Sequence, residues 1–229
     1  MSFEGATFSG SKVWFTSAAY SSGRVSFEGA AFTGGEVLFF SATFSGSEVR
    51  FVRATFSGGL VRFDGATISS NEVQFGFATF SGTAVLFDGV SFSGGDMSFY
   101  SAAFSGSGVS FPGATFTDGW VSFDDATFTD GWVSFNNAAF SGSAVTFFGA
   151  TFTGGRVLFD GGTFSDGQVL FFSAAFSGGE VSFSNVTFSG GEVNFDTATG
   201  AMPPGLLPGD GTSLPTGLNL PEAWYPVGQ

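Results

Sequence analysis

The chain has 229 residues, 43% hydrophobic and only 11% charged, enough apolar material for a sizeable core and too much for a disordered main state. It has no Cys and no His, which removes disulfide frameworks, thiolate and imidazole metal sites and the commonest general base. Nineteen acids against six bases give a net charge of −13, which argues against binding phosphate backbones or anionic membranes and toward a basic partner.

From residue 1 the sequence lacks the features of an export signal: Met-Ser-Phe-Glu-Gly-Ala-Thr-Phe has no basic stretch followed by an apolar one. No run approaches the roughly 20 apolar residues of a membrane span. The expectation is a cytoplasmic protein with no membrane association and no direct nucleic-acid contact.

A repeat of 12 residues starts at once. Val recurs at positions 13, 25, 37, 49, 61, 73 and 85 and again from 109 to 193, with Met1 and Met97 in the same column. Phe follows two residues later in every copy, from Phe3 to Phe195, and a second Phe column runs from Phe8 to Phe188, broken by Tyr20 and Ile68. A small residue precedes the second Phe by two, as in Ala30, Ala42, Ala54 and Ala66. The unit is V-x-F-x-x-A-x-F-S-G-G-x. V-x-F and A-x-F show the period-two alternation of short strands, and the segments between them are turn chemistry. Stacked turns of this kind bury a continuous core and make a β-solenoid. Its predicted ladder includes Phe27, Phe39, Phe51, Phe63, Phe111 and Phe123.

One coil can hold one repeat or two, and sterics favour two. A 12-residue coil brings opposing walls too close for inward Phe rings, since sheets pack about 10 Å apart, whereas a 24-residue coil needs only four right-angle corners. Residues 1–198 then form about eight coils, a rod near 40 Å long at about 4.8 Å per strand.

Segments such as Ala42-Thr43-Phe44-Ser45-Gly46 and Ala114-Thr115-Phe116-Thr117-Asp118 resemble the pentapeptide-repeat family, in which a small residue precedes a central Leu or Phe by two. The resemblance spans residues 1 to about 198 and implies an all-β, right-handed quadrilateral β-helix. Each 12-residue unit reads as one pentapeptide plus seven residues, so two opposite corners are enlarged relative to the family pattern. Some bacterial members of that family are acidic rods that mimic duplex DNA and bind type II topoisomerases. The resemblance thus implies a non-enzymatic protein-binding rod, with a DNA mimic as its sharpest form. Residues 1–62 carry five bases and four acids, whereas residues 63–229 carry Arg156 and 15 acids, so the negative field belongs to the later coils. The candidate acidic surface is Asp64, Asp88, Asp124 and Asp160, which share the column after the invariant Phe.

Four Phe fall outside the core columns: Phe40, Phe77, Phe148 and Phe172. Phe148 and Phe172 share a column with Tyr100 and form a candidate aromatic interface with it. Trp120 and Trp132 are expected over opposite corners of one coil. Asp118, Asp130 and Asp166 precede Gly in turns and lack the several oxygen ligands a calcium ion needs. Adjacent Asp124 and Asp125 point apart on an extended segment, so no catalytic pair, metal or cofactor is assigned. A rank of outward Thr, including Thr43, Thr55, Thr115 and Thr127, resembles those of ice-binding solenoids, but it alternates with Ala and splits between two faces of a 24-residue coil.

At Gly200 the composition changes, and residues 199–229 form a Pro-rich tail. Its apolar residues Leu206, Leu207, Leu214, Leu218, Leu220, Trp224 and Tyr225 suit a cap over the open end, with one helical turn at Pro221–Trp224. The first coil carries no such device, so pairing with a second copy, as a dimer or end to end, is the alternative to a basic protein partner.

Overall fold

The computed structural model describes residues 1–69, 72–203, 206 and 217–225. Apart from the bulge at Ser93, every parallel pairing through the regular repeats joins residues 24 apart, as in Leu60↔Ala84, Val61↔Val85 and Arg62↔Leu86. The coil therefore contains two repeats. Its four faces follow from one turn of chain: Thr55–Ser57 lies on face one, Leu60–Arg62 on face two, Thr67–Ser69 on face three and Glu72–Gln74 on face four, after which Thr79–Ser81 returns to face one. Face one is a sheet of nine strands and face two a sheet of eight, while faces three and four are linked into one sheet of 15.

The linkage arises at one corner. In two successive coils, Ser91–Ser98 and Thr115–Ser122 run as unbroken strands from face three onto face four, with register shifts at Ser93 that bend the pair around the corner. The Gly119 backbone has φ +89°, and a Cβ there would collide with the Gly95 carbonyl oxygen of the previous coil. Only glycine lets the chain pass so close to its neighbour.

Of the other three corners, those from face two to face three and from face four to face one are tight turns over Phe-x-x-Ala. The N–H of the small residue donates to the Phe carbonyl oxygen, as in Ala66 to Phe63 at 2.9 Å. The second central residue has φ between +52° and +69° from Gly5 to Asn185, whereas the first has no positive φ, which defines a type II turn. Nine of these positions are not glycine, among them Arg53, Phe77 and Asp125. Eight of the nine, all but Asn185, have their N–H tied to the next coil, as Arg53 N–H is to the Gly76 carbonyl oxygen at 2.9 Å, which holds them in the left-handed conformation.

Inside lie four columns of rings. Phe27, Phe39, Phe51, Phe63, Phe111 and Phe123 have no exposed surface. Rings of one column stack nearly parallel, with Phe51 and Phe75 4.8 Å apart at 2°. The two V-x-F columns meet edge to face along the axis, Phe75 and Phe87 being 6.2 Å apart at 90°. Each core ring thus has two faces and its edges in contact, the arrangement favoured by the aromatic quadrupole.

Regular coiling runs slightly past the predicted boundary, because Thr199–Gly200 pairs with Ala175 and Phe176 on face one. The chain then returns: Leu218–Asn219 adds a parallel strand beside Val193 and Asn194 on face four, and a 3-10 turn spans Glu222–Trp224. Trp224 lies over the final rings, 5.8 Å from Phe176 and 5.6 Å from Phe195, with its Nε1–H donating to the Gly200 carbonyl oxygen at 3.0 Å. Leu206, Leu218 and Leu220 are buried with it. Leu207 and Leu214 lie outside the described residues. At the first coil Phe3, Phe8, Phe15 and Tyr20 are only partly buried.

Candidate functional site

A 24-residue coil divides the predicted acidic column between two opposite corners. Asp64, Asp88 and Asp160 follow face two, whereas Asp124 follows face four with Tyr100, Phe148 and Phe172. All four carboxylates are engaged by the solenoid. Asp64 is buried and holds the Arg62 guanidinium on one oxygen, while its Oδ1 has no hydrogen-bond partner. Asp88 accepts from the Ser110 hydroxyl at 2.8 Å. Burial is the main cause that raises its pKa above the usual carboxylate value, opposed by the Ser110 bond and reinforced by the charge of Asp64. Asp124 accepts the Phe148 N–H at 2.9 Å, and Asp160 accepts the Ser184 N–H at 2.9 Å and the Ser182 hydroxyl at 2.5 Å. These groups cap turns of the next coil.

The predicted aromatic column is also divided. Tyr100 packs edge-on against Phe77, with ring centres 5.5 Å apart at 84°, and the Arg53 guanidinium lies 5.6 Å from the Phe77 centroid. Asp124 separates that group from Phe148, which is 53% exposed, and Phe172 is half-buried. Trp120 and Trp132 occupy opposite faces rather than corners: Trp120 lies on face four and Trp132 on face two, where the glycine at 108 leaves room for its indole.

The charges follow a simple rule. All six bases are paired within the chain: Lys12 with Glu36, Arg24 with Glu48, Arg50 with Glu28 and Glu48, Arg53 with Glu28, Arg62 with Asp64, and Arg156 with Glu180. Acids without a basic partner are concentrated on face four and its two corners. Glu72 and Asp96 are on the face, Asp118 and Asp166 on the corner toward face three, and Asp125 and Asp196 on the corner toward face one, all exposed. Sequence reasoning at a 12-residue period passed over this set, although a 24-residue period aligns Glu48, Glu72, Asp96 and Trp120 in one outward column.

That column borders a cleft of about 260 Å³ lined by Glu72, Asp96, Ser98, Tyr100, Trp120 and Asp124 among others. The Trp120 Nε1–H donates to the Thr146 hydroxyl at 2.9 Å, which fixes the indole plane while leaving 49% of the residue exposed. Among the described residues, faces one and three carry no charged residue on their strands, and their Thr ranks are separate, as a 24-residue coil requires. Among the described residues no group of three or more potential metal-ligating side chains occurs, and no helix is long and apolar enough to cross a membrane.

The chain is thus a four-faced β-solenoid with an inward Phe ladder, the architecture that the pentapeptide-repeat resemblance implies. No family model and no curated protein matches it. Among solved structures it is similar to QnrB1, a plasmid-mediated fluoroquinolone resistance protein, at 17% identity over 93% of each chain with a TM-score of 0.26. So loose a superposition carries no argument, and the fold rests on its own register and ring stacks.

Proposed function

We propose that this protein is a non-enzymatic rod whose acidic face four binds the basic surface of a protein partner, and that its sharpest form is a DNA mimic directed at a type II topoisomerase. One observation carries the reading: every base is neutralised internally, so the excess carboxylates on face four and its corners form an uncompensated negative stripe. Such a field steers association with basic grooves and weakens with salt. The topoisomerase as target comes from the family resemblance alone.

The test is supercoiling by a bacterial DNA gyrase titrated with the protein at low and moderate salt, with light scattering on the same samples. Salt-sensitive inhibition by a dispersed species is expected. Neutralising Asp118, Asp125, Asp166 and Asp196 together should raise the concentration needed by about tenfold or more, at up to about 1 kcal/mol for each exposed pair. No inhibition at micromolar protein, with scattering that grows at high salt, would transfer the function to self-assembly.

A further inference from the structure

The face-four cleft differs from the rest of the acidic stripe in having aromatic walls. Along this face the outward column begins with ion pairs, Arg24 with Glu48 and Arg50 with Glu48, and then changes: Glu72 and Asp96 have no basic partner among the described residues. The next rung is Trp120, in register with Asp96 on one side and Ala144 on the other. Alanine leaves the indole free to lean toward Thr146, where its N–H is held. Tyr100 is held at the neighbouring corner by edge contact with Phe77. Two exposed rings therefore border a cleft whose other side chains include three carboxylates and two hydroxyls.

We propose that this cleft receives an arginine side chain of a basic protein partner, stacked on Trp120 beside Tyr100 and paired with Glu72 and Asp96. The proposal rests on the protein-binding reading above and adds where the partner's key residue docks. Charge complementarity selects a cation. The aromatic walls select arginine over lysine, because a guanidinium is planar, weakly hydrated and able to stack on a ring while its edge donates to carboxylates. The bulged strands Ser91–Ser98 and Thr115–Ser122 hold Asp96 and Trp120 on a continuous sheet, so the cleft is largely preformed.

The probe is the peptide acetyl-Gly-Gly-Arg-Gly-Gly-amide, titrated at low salt into the full chain labelled with ¹⁵N, and the readouts are the Trp120 indole N–H resonance and, for the Trp120 variants, the backbone amide resonances of Asp96 and Tyr100. A saturable shift is expected, with the Lys counterpart binding about three- to tenfold more weakly. Glu72→Gln with Asp96→Asn, and separately Trp120→Ala, should each weaken binding about three- to tenfold, whereas Trp120→Phe keeps most of it. Asp166→Asn with Asp196→Asn, a far-corner pair two or more coils further along the rod, removes the same charge and should change binding by less than about twofold. Circular dichroism melts of all variants show that the coil is intact. An unmoved Trp120 resonance, equal affinity for Arg and Lys, or equal weakening by the far-corner pair would overturn the proposal. Failure of the gyrase test alongside a Trp120 shift removes the topoisomerase and keeps the arginine cleft. Gyrase inhibition that Trp120→Ala leaves untouched removes the cleft and keeps the acidic rod.

Discussion

Where a turn follows the invariant Phe, a single side chain decides whether charge is directed into the solenoid or out of it. Asp124, Asn136 and Asp160 each accept an N–H from the next coil, an energetically useful role that turns their polar groups inward. Asp88 sits at the same position but next to buried Asp64, and burial together with that neighbour disfavours its ionised form. The consequence has a definite sign. A carboxylate whose folded pKa is raised binds its proton more tightly in the native state, so its contribution is most favourable below the unfolded value of 3.8 and is lost as pH rises through the folded value. Asp88→Asn keeps an acceptor for Ser110 and removes the charge. Thermal unfolding should show a Tm above wild type at about pH 7, with the difference closing below about pH 4. A Tm gap that is constant with pH would mean that Asp88 is as well solvated in the fold as in the unfolded chain.

Turn and strand together explain why one 12-residue phrase suffices for the whole fold, and also why it conceals the surface. The inward columns are nearly invariant in type, so V-x-F and A-x-F reveal strands, core and ladder at any assumed period. The outward residues follow the coil, and the coil is two repeats long. Asp64 and Asp124 therefore read as neighbours in a column and lie on opposite corners, while Glu72, Asp96 and Trp120 read as unrelated and stack in one column. The bulge at Ser93 that joins faces three and four has no signal in the repeat at all, since it depends on how successive Gly-rich corners pack. Within the core the ladder has one gap of consequence. Ile68 lies between Phe44 and Phe92, fully buried, where every later coil of that column to Phe188 has a ring. Ile68→Phe would face the same Phe neighbours, above, below and edge-on, that Phe116 has at its own level. The expected outcome is a gain of about 0.5 to 1.5 kcal/mol, from two ring contacts, in denaturant unfolding. A loss of stability would show that the coil has closed around the smaller side chain and that the ring overpacks it.

As a whole the molecule is quasi-one-dimensional: each coil touches only the coil before and the coil after, so stability is a sum of coil terms and interfaces between them. In such a rod the ends govern how unfolding starts. Trp224 acts at the last interface, since Gly200 ends the ring column that Phe176 belongs to and the indole covers both Phe176 and Phe195 in its place. Trp224→Ala should cost about 3 to 5 kcal/mol locally, the usual range for removing a buried Trp, and the cost should be spent unevenly. Amide hydrogen exchange is expected to accelerate in Glu192–Asn194 and Glu180–Ser182, to change less in Gln168–Leu170 and to stay near wild type in Gly108–Ser110. Fraying confined to the last coils would leave Trp120 and the face-four carboxylates in place, so binding to a basic partner should survive the loss of the cap. Equal acceleration at every strand would instead show that the Phe ladder couples all coils into one cooperative unit, and the acidic stripe would then depend on the cap about 100 residues away in sequence.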